Sequence, residues 1–127
     1  MSVVPDDLRY TEQHEWVRSD GVTAWVGVTD HAQHELTDIV FVELPKVGKK
    51  VKKGEVLGIV ESVKTVAEVY SPVSGEVVEA NLELNDSPQF INESPYDKGW
   101  LALLRMEAPS ELSGLMEPAA YKRMLGE

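Results

Sequence analysis

Two stretches of this chain echo one another on either side of a lysine, and that echo narrows the possible folds more than any other feature. VKKGEVLGIVE runs up to Glu61, and SPVSGEVVEA begins at Ser71; each is a turn carrying a glycine followed by a valine-rich strand. Gly54 and Gly75 lie at nearly equal distances from Lys64, which is the only lysine or arginine between Lys53 and Lys98. This is the layout of two similar halves folding about a two-fold axis. If Val56 to Glu61 and Val66 to Tyr70 are neighbouring strands, Ser62 to Thr65 connects them and Lys64 protrudes at the tip. Gly75 is expected at a turn that needs a positive φ or a close approach of backbone.

Strand signals continue on both sides of this core. EWVRSDGVTAWVGV places Asp20-Gly21 between two alternating apolar runs, a favoured hairpin composition, with Val22, Ala24, Val26 and Val28 on one face. TDHAQHEL reads as a short helix with Thr29 and Asp30 as candidate N-caps. DIVFVEL reads as a strand buried on both sides and stopped by Pro45, and WLALLRM as the last strand. The tail SELSGLMEPAAYKRMLGE suits helix, with Pro118 opening its second half. Trp16, Trp25 and Trp100 fall in strand patterns and are expected to pack the core. Lys46, Lys49, Lys50, Lys52 and Lys53 are expected to blunt an edge strand with charge. At 127 residues, 43% of them hydrophobic, the chain can bury one core, so one domain spanning residues 1–127 is expected.

A lysine exposed at a turn is poorly suited to general base catalysis, which needs desolvation to lower its pKa. It suits an amine that another enzyme must reach and acylate. The chain has no cysteine, so disulfides, thiolate metal sites and a thiol nucleophile are excluded, and any sulfur chemistry must arrive on an added group. Its 22 acidic residues against 12 basic ones give a net charge of -10. That repels nucleic acid and anionic membrane and favours a positively charged protein partner. No apolar run is long enough to cross a bilayer, and the opening MSVVPDDLRYT has neither a secretory signal's basic flank and apolar block nor a transit peptide's arginines. A bacterial cytoplasmic protein, or a mature form from the mitochondrial matrix, is expected. His31 and His34 form an H-x-x-H with acids nearby, but two histidines without a strong third ligand are ordinarily solvated side chains, and no metal site is expected.

ESVK at Glu61 to Lys64, with SPVSGEV following, resembles the attachment motif of lipoyl carrier domains, and more closely that of glycine cleavage system H-proteins. The resemblance extends over YTEQHEWV, VGVTDHAQHEL, DIVFVELPKVG, VKKGEVLGIVESVK, SPVSGEVVEAN, SPQFINESPYDKGWL and EPAAYKRML. Biotin carriers share the two-fold layout but usually flank their lysine with methionines, where Val63 and Thr65 stand here. The resemblance implies a mainly β fold, a lipoyl-domain-like barrel-sandwich hybrid with a short internal helix and C-terminal helices. It implies a carrier rather than an enzyme, with no catalytic residue and with lipoate in amide linkage to Lys64.

The partners implied are glycine decarboxylase (the P-protein), aminomethyltransferase (the T-protein), dihydrolipoyl dehydrogenase (the L-protein) and the lipoyl ligase or transferase that loads the lysine. A monomer is expected. By position, Glu15 and Glu68, with Gln13 beside them, resemble residues lining the cleft that shelters the loaded arm. An aminomethyl group on sulfur falls apart when its lone pair expels the thiolate, and carboxylates that favour the protonated amine preserve it. Other readings are a lipoyl relay toward oxo-acid dehydrogenase complexes, an unmodified adaptor, and a small hydrolase using His14 with Glu15.

Overall fold

The computed structural model describes residues 2–127, and its architecture is mainly β. Among the described residues nine strands form two sheets. β1 (Arg9–Tyr10), β2 (Glu15–Asp20), β3 (Thr23–Val28), β9 (Ala102–Met106), β8 (Gly75–Ala80) and β5 (Lys50–Val51) lie in that spatial order in the larger sheet. β4 (Ile39–Glu43), β6 (Val56–Ser62) and β7 (Val66–Tyr70) make the smaller one. Every pairing is antiparallel. The two arms of the echo fall on opposite sheets, β6 in the smaller and β8 in the larger. They are tied where they cross, because Gly54 N–H donates to the Ser71 carbonyl at 2.8 Å and Ser71 N–H to that of Glu55 at 2.7 Å.

The core lies between the sheets. One cluster joins Val26, Val77 and Leu104 of the larger sheet to Leu57 of β6. A second joins Val28 to Val42, Val60 and Val69 of the smaller sheet and to Leu36 of α1 (Asp30–Leu36). Short helices close the ends: α2 (Glu83–Asp86) and α3 (Phe90–Glu93) precede β9, and after it come a 3-10 segment (Pro109–Gly114) and α4 (Pro118–Leu125). Thr29 caps α1 as the sequence suggests, its hydroxyl accepting the Ala32 N–H at 3.2 Å. β5 is the outer strand of its sheet, so the lysine run sits on an edge.

Several sequence expectations need correction. The β2–β3 loop is Gly21-Val22, one residue later than the Asp20-Gly21 pair, because Asp20 still pairs with Thr23. Gly21 takes φ 61 as the first loop residue, and Val22, in the turn, is 55% exposed. β4 is not buried on both faces: it is an edge strand, and Phe41 is 54% exposed. Between the pairs Ile39 with Ser62 and Phe41 with Glu61 it carries Val40 as an extra residue. That bulge lets Ile39 and Val42, three apart, both face inward. Of the three tryptophans only Trp16 is fully buried; Trp25 and Trp100 are half-buried and meet edge-on with centroids 4.9 Å apart. Gly75 serves close approach and not a positive φ. It is the first residue of β8, where a Cβ would fall 2.3 Å from the Arg105 carbonyl oxygen.

Candidate functional site

Lys64 stands at the tip of the β6–β7 hairpin, exposed to solvent. Ser62 builds that tip. Its N–H donates to the Thr65 carbonyl at 2.8 Å, and its buried hydroxyl accepts the N–H groups of Lys64 at 3.2 Å and Thr65 at 3.1 Å. A short hydroxylated residue two before the lysine thus satisfies backbone donors that a tight connection would leave unpaired. The Val63 N–H is anchored to the Asp38 carbonyl at 3.0 Å. Val63 and Val66, on either side, are exposed. Among the described residues the Lys64 ammonium has neither an ion pair nor a hydrogen bond. The backbone is held and the amine is free, which is the arrangement an acyl acceptor needs.

Along β7 runs a groove of about 230 Å³ that brings together Gln13, Glu15 and Glu68, the three cleft residues read from the sequence. Its apolar lining comes from β3, α1, β6 and β7: Val28, Ala32, Leu36, Val60, Ala67 and Val69. Two further polar residues line it that sequence reasoning did not assign to a cleft, His14 and Glu35. The only sequence signal for Glu35 was its place four residues after His31, to which it lies 3.4 Å away. No group of three or more histidine, aspartate or glutamate side chains is placed to hold a metal among the described residues.

The carboxylates differ. Glu15 is 2% exposed. One of its oxygens accepts from the Thr11 hydroxyl, and the other accepts the Tyr70 N–H at 3.1 Å. Burial pushes its carboxyl above the usual range, and the Thr11 and Tyr70 hydrogen bonds pull it partly back. Glu68 is exposed, with the Tyr70 hydroxyl 3.3 Å from its carboxylate. Glu35 is exposed on the α1 wall. Glu68 and Glu35 therefore face solvent across the groove, while Glu15 is committed to holding the chain of β7.

His14 sits at φ 71, and its Nδ1 lies 2.8 Å from the Tyr121 hydroxyl of α4, which is itself 2.8 Å from the Thr29 hydroxyl. Its ring meets that of His31 at a tilt of 37°, with centroids 4.5 Å apart. Burial, then the neighbouring His31, push its pKa down, and Glu35 opposes them. Because His14 pairs with Tyr121 and Glu15 with Thr11 and Tyr70, the two do not form a catalytic dyad.

The family model for glycine cleavage H-proteins matches residues 8–127. A glycine cleavage system H protein of Staphylococcus haemolyticus is 52% identical over 124 residues, covering 98% of each chain. That of Halalkalibacterium halodurans is 52% identical over 127 residues, covering all of this chain and 99% of its own. The crystal structure of a glycine cleavage system H protein from Mycobacterium marinum superposes with a TM-score of 0.91 at 37% identity, covering 98% of this chain and all of that one.

Proposed function

The chain belongs to the glycine cleavage H-protein family, and from that premise we propose that Lys64 carries lipoate in amide linkage and that the groove along β7 shelters the arm's cargo. The protein is a lipoyl carrier of the glycine cleavage system. The observation that carries the residue assignment is the free amine on a fixed hairpin tip, whose strand β7 lends Ala67, Glu68 and Val69 to a groove with apolar walls and carboxylates.

The donor set fits the group. Val28, Ala32, Leu36 and Val60 offer surface to a hydrocarbon arm, and Glu68 and Glu35 offer charge to a cationic end. Once attached, a lipoyl group supplies the sulfur pair that this cysteine-free chain lacks, able to take up an aminomethyl group and release it. The chain's own residues do the rest. Ser62 holds the tip open to an acylating enzyme. Glu68 and Glu35 favour a protonated amine beside them and so keep its lone pair from expelling the thiolate. Glu15 fixes the far end of β7, its two oxygens already taken by the Thr11 hydroxyl and the Tyr70 N–H.

The carrier passes its cargo from glycine decarboxylase to the aminomethyltransferase and is reoxidised by dihydrolipoyl dehydrogenase, after loading by a lipoyl ligase or transferase. The net charge of -10 supports protein partners with basic faces. Residues 1–127 act as one carrier domain and as a monomer, with no catalytic residue of their own. No helix among the described residues is long and apolar enough to cross a membrane, and the relatives are bacterial, which supports a cytoplasmic location.

The test is intact mass and peptide mapping after expression with lipoate and a ligase. One lipoyl mass on the peptide containing Lys64 is expected, and its appearance on any other lysine would overturn the assignment.

A further inference from the structure

β7 is an outer strand of its sheet, and the phase of its hairpin determines which main-chain groups face outward. The bond from Ser62 N–H to the Thr65 carbonyl makes Ser62 and Thr65 a hydrogen-bonded pair. Counting along the register, Glu61 with Val66 is a non-bonded pair, Val60 with Ala67 a bonded one, and Ile59 with Glu68 again non-bonded. Val66 and Glu68 therefore turn their N–H and C=O groups away from β6. On the other side of β6, the outward groups of Glu61 and Ile59 meet Phe41 and Glu43 of β4. Among the described residues β7 has no such neighbour. Among the described residues, the outward β7 donor that has a partner is Tyr70 N–H, taken by Glu15.

This unpaired edge borders the groove, since Glu68 belongs to its wall. Val66 is 58% exposed, so its outward N–H is open to an acceptor that an arm brings from outside the sheet. Lys64 stands two residues before β7. Its four-carbon stem, extended, spans about two strand residues, roughly 6–7 Å, which is long enough to bring an acylated Nζ alongside Val66. A trans amide points its N–H and C=O in opposite directions, so with its plane turned toward the strand it presents its C=O to an outward N–H.

We infer that the acyl oxygen of the arm on Lys64 accepts the Val66 N–H, capping the free edge of β7 at its start as the Glu15 carboxylate caps it at Tyr70. The inference rests on the assignment of lipoate to Lys64. The arm is thereby aligned with the strand, its far end directed toward Glu68. The contact is strongest when the arm carries a cationic cargo, because the carboxylates then hold the far end down.

Amide hydrogen exchange on the lipoyl and the aminomethyl-loaded wild-type protein tests this directly. Val66 N–H is expected to exchange about threefold to tenfold more slowly in the loaded form, the range for one hydrogen bond. Val66→Pro removes this donor at an outward-facing edge position, where proline is tolerated. It is expected to leave lipoylation intact and to raise formaldehyde release from the loaded form by a similar factor. If that variant does not fold, the exchange measurement decides alone. Loaded protein whose Ala32 and Leu36 resonances report an occupied groove, with Val66 exchange unchanged, would overturn this inference and leave the lipoate assignment standing. Absence of lipoyl mass on Lys64 would remove both.

Discussion

The two ends of β7 treat a charged side chain in opposite ways. At the hairpin tip Lys64 has its backbone held by Ser62 and its ammonium left in solvent. At the far end, beside Tyr70, Glu15 has its carboxylate buried and bound on both oxygens. Under the proposed function the tip lysine is altered by another protein, and it is kept accessible on a rigid support. A group that must hold a strand in place is desolvated and saturated with donors, at a cost in its own ionisation. The groove lies between these extremes, and Glu68 and Glu35 share the solvent exposure of the tip more than the burial of Glu15.

The contrast breaks most completely at the tip. Lys64→Arg keeps the positive charge and disturbs no packed surface, so stability is expected to stay within about 0.5 kcal/mol of wild type. Lipoylation should fall to zero, because a guanidinium is not deprotonated to attack an acyl donor. Mass spectrometry after ligase treatment, with a urea melt alongside, checks both halves. Any lipoyl adduct on the variant would place the acceptor elsewhere.

The next largest effect separates the groove carboxylates from one another. A charge-assisted hydrogen bond contributes about 1.5–3 kcal/mol, so neutralising the one that holds a loaded amine should increase its collapse about tenfold or more. Glu68→Gln is expected to show that increase in formaldehyde and ammonia release with no aminomethyltransferase present. Glu15→Gln should show a smaller one, because its carboxylate already serves Thr11 and Tyr70. Lipoylation of both should be normal. A larger effect from Glu15 than from Glu68 would reverse the division of roles.

A smaller change is expected from Ser62→Ala, which removes the acceptor for two N–H groups and leaves the lysine in place. The loss should be about 1–2 kcal/mol of stability, with a several-fold fall in lipoylation kcat/KM as the tip loses its fixed shape. Unchanged loading kinetics would mean that the tip's order does not matter to the acylating enzyme.

How far these features could be read in advance depends on the range of the interactions behind them. The Lys64 turn and the Thr29 cap are set by neighbours within a few residues, and the spacing of glycines, valines and a hydroxyl reveals them. The groove is not local: it joins the Gln13–Glu15 segment, α1 and β7, and only the resemblance pointed to its members. Glu15 in HEW gives no local sign that it is buried, because its partners are Thr11 and a main-chain N–H 55 residues away. The bulge at Val40 hid an edge strand behind an unbroken apolar run. α2 and α3, four residues each, are too short for any periodicity to register.

The smallest expected effect is in the pH dependence of stability, where two groove residues act with opposite signs. Burial raises the Glu15 carboxyl above its ordinary 4.5, so the folded chain binds that proton more tightly than the unfolded chain. Its contribution to stability is full below about pH 4.5 and is lost as pH rises through the raised value. His14 is pushed below its ordinary 6.5 by burial and by His31, so its contribution is full above about pH 6.5 and is lost as pH falls through the depressed value. Glu15→Gln should therefore gain stability relative to wild type as pH rises from about 4 to 7. His14→Asn should gain relative to wild type as pH falls from about 7 to 5. Urea unfolding of the three proteins across that range measures both slopes. Parallel curves for wild type and Glu15→Gln would mean that Thr11 and Tyr70 fully offset the burial, and the carboxylate at the end of β7 would then rank with Glu68 as a charged wall of the groove.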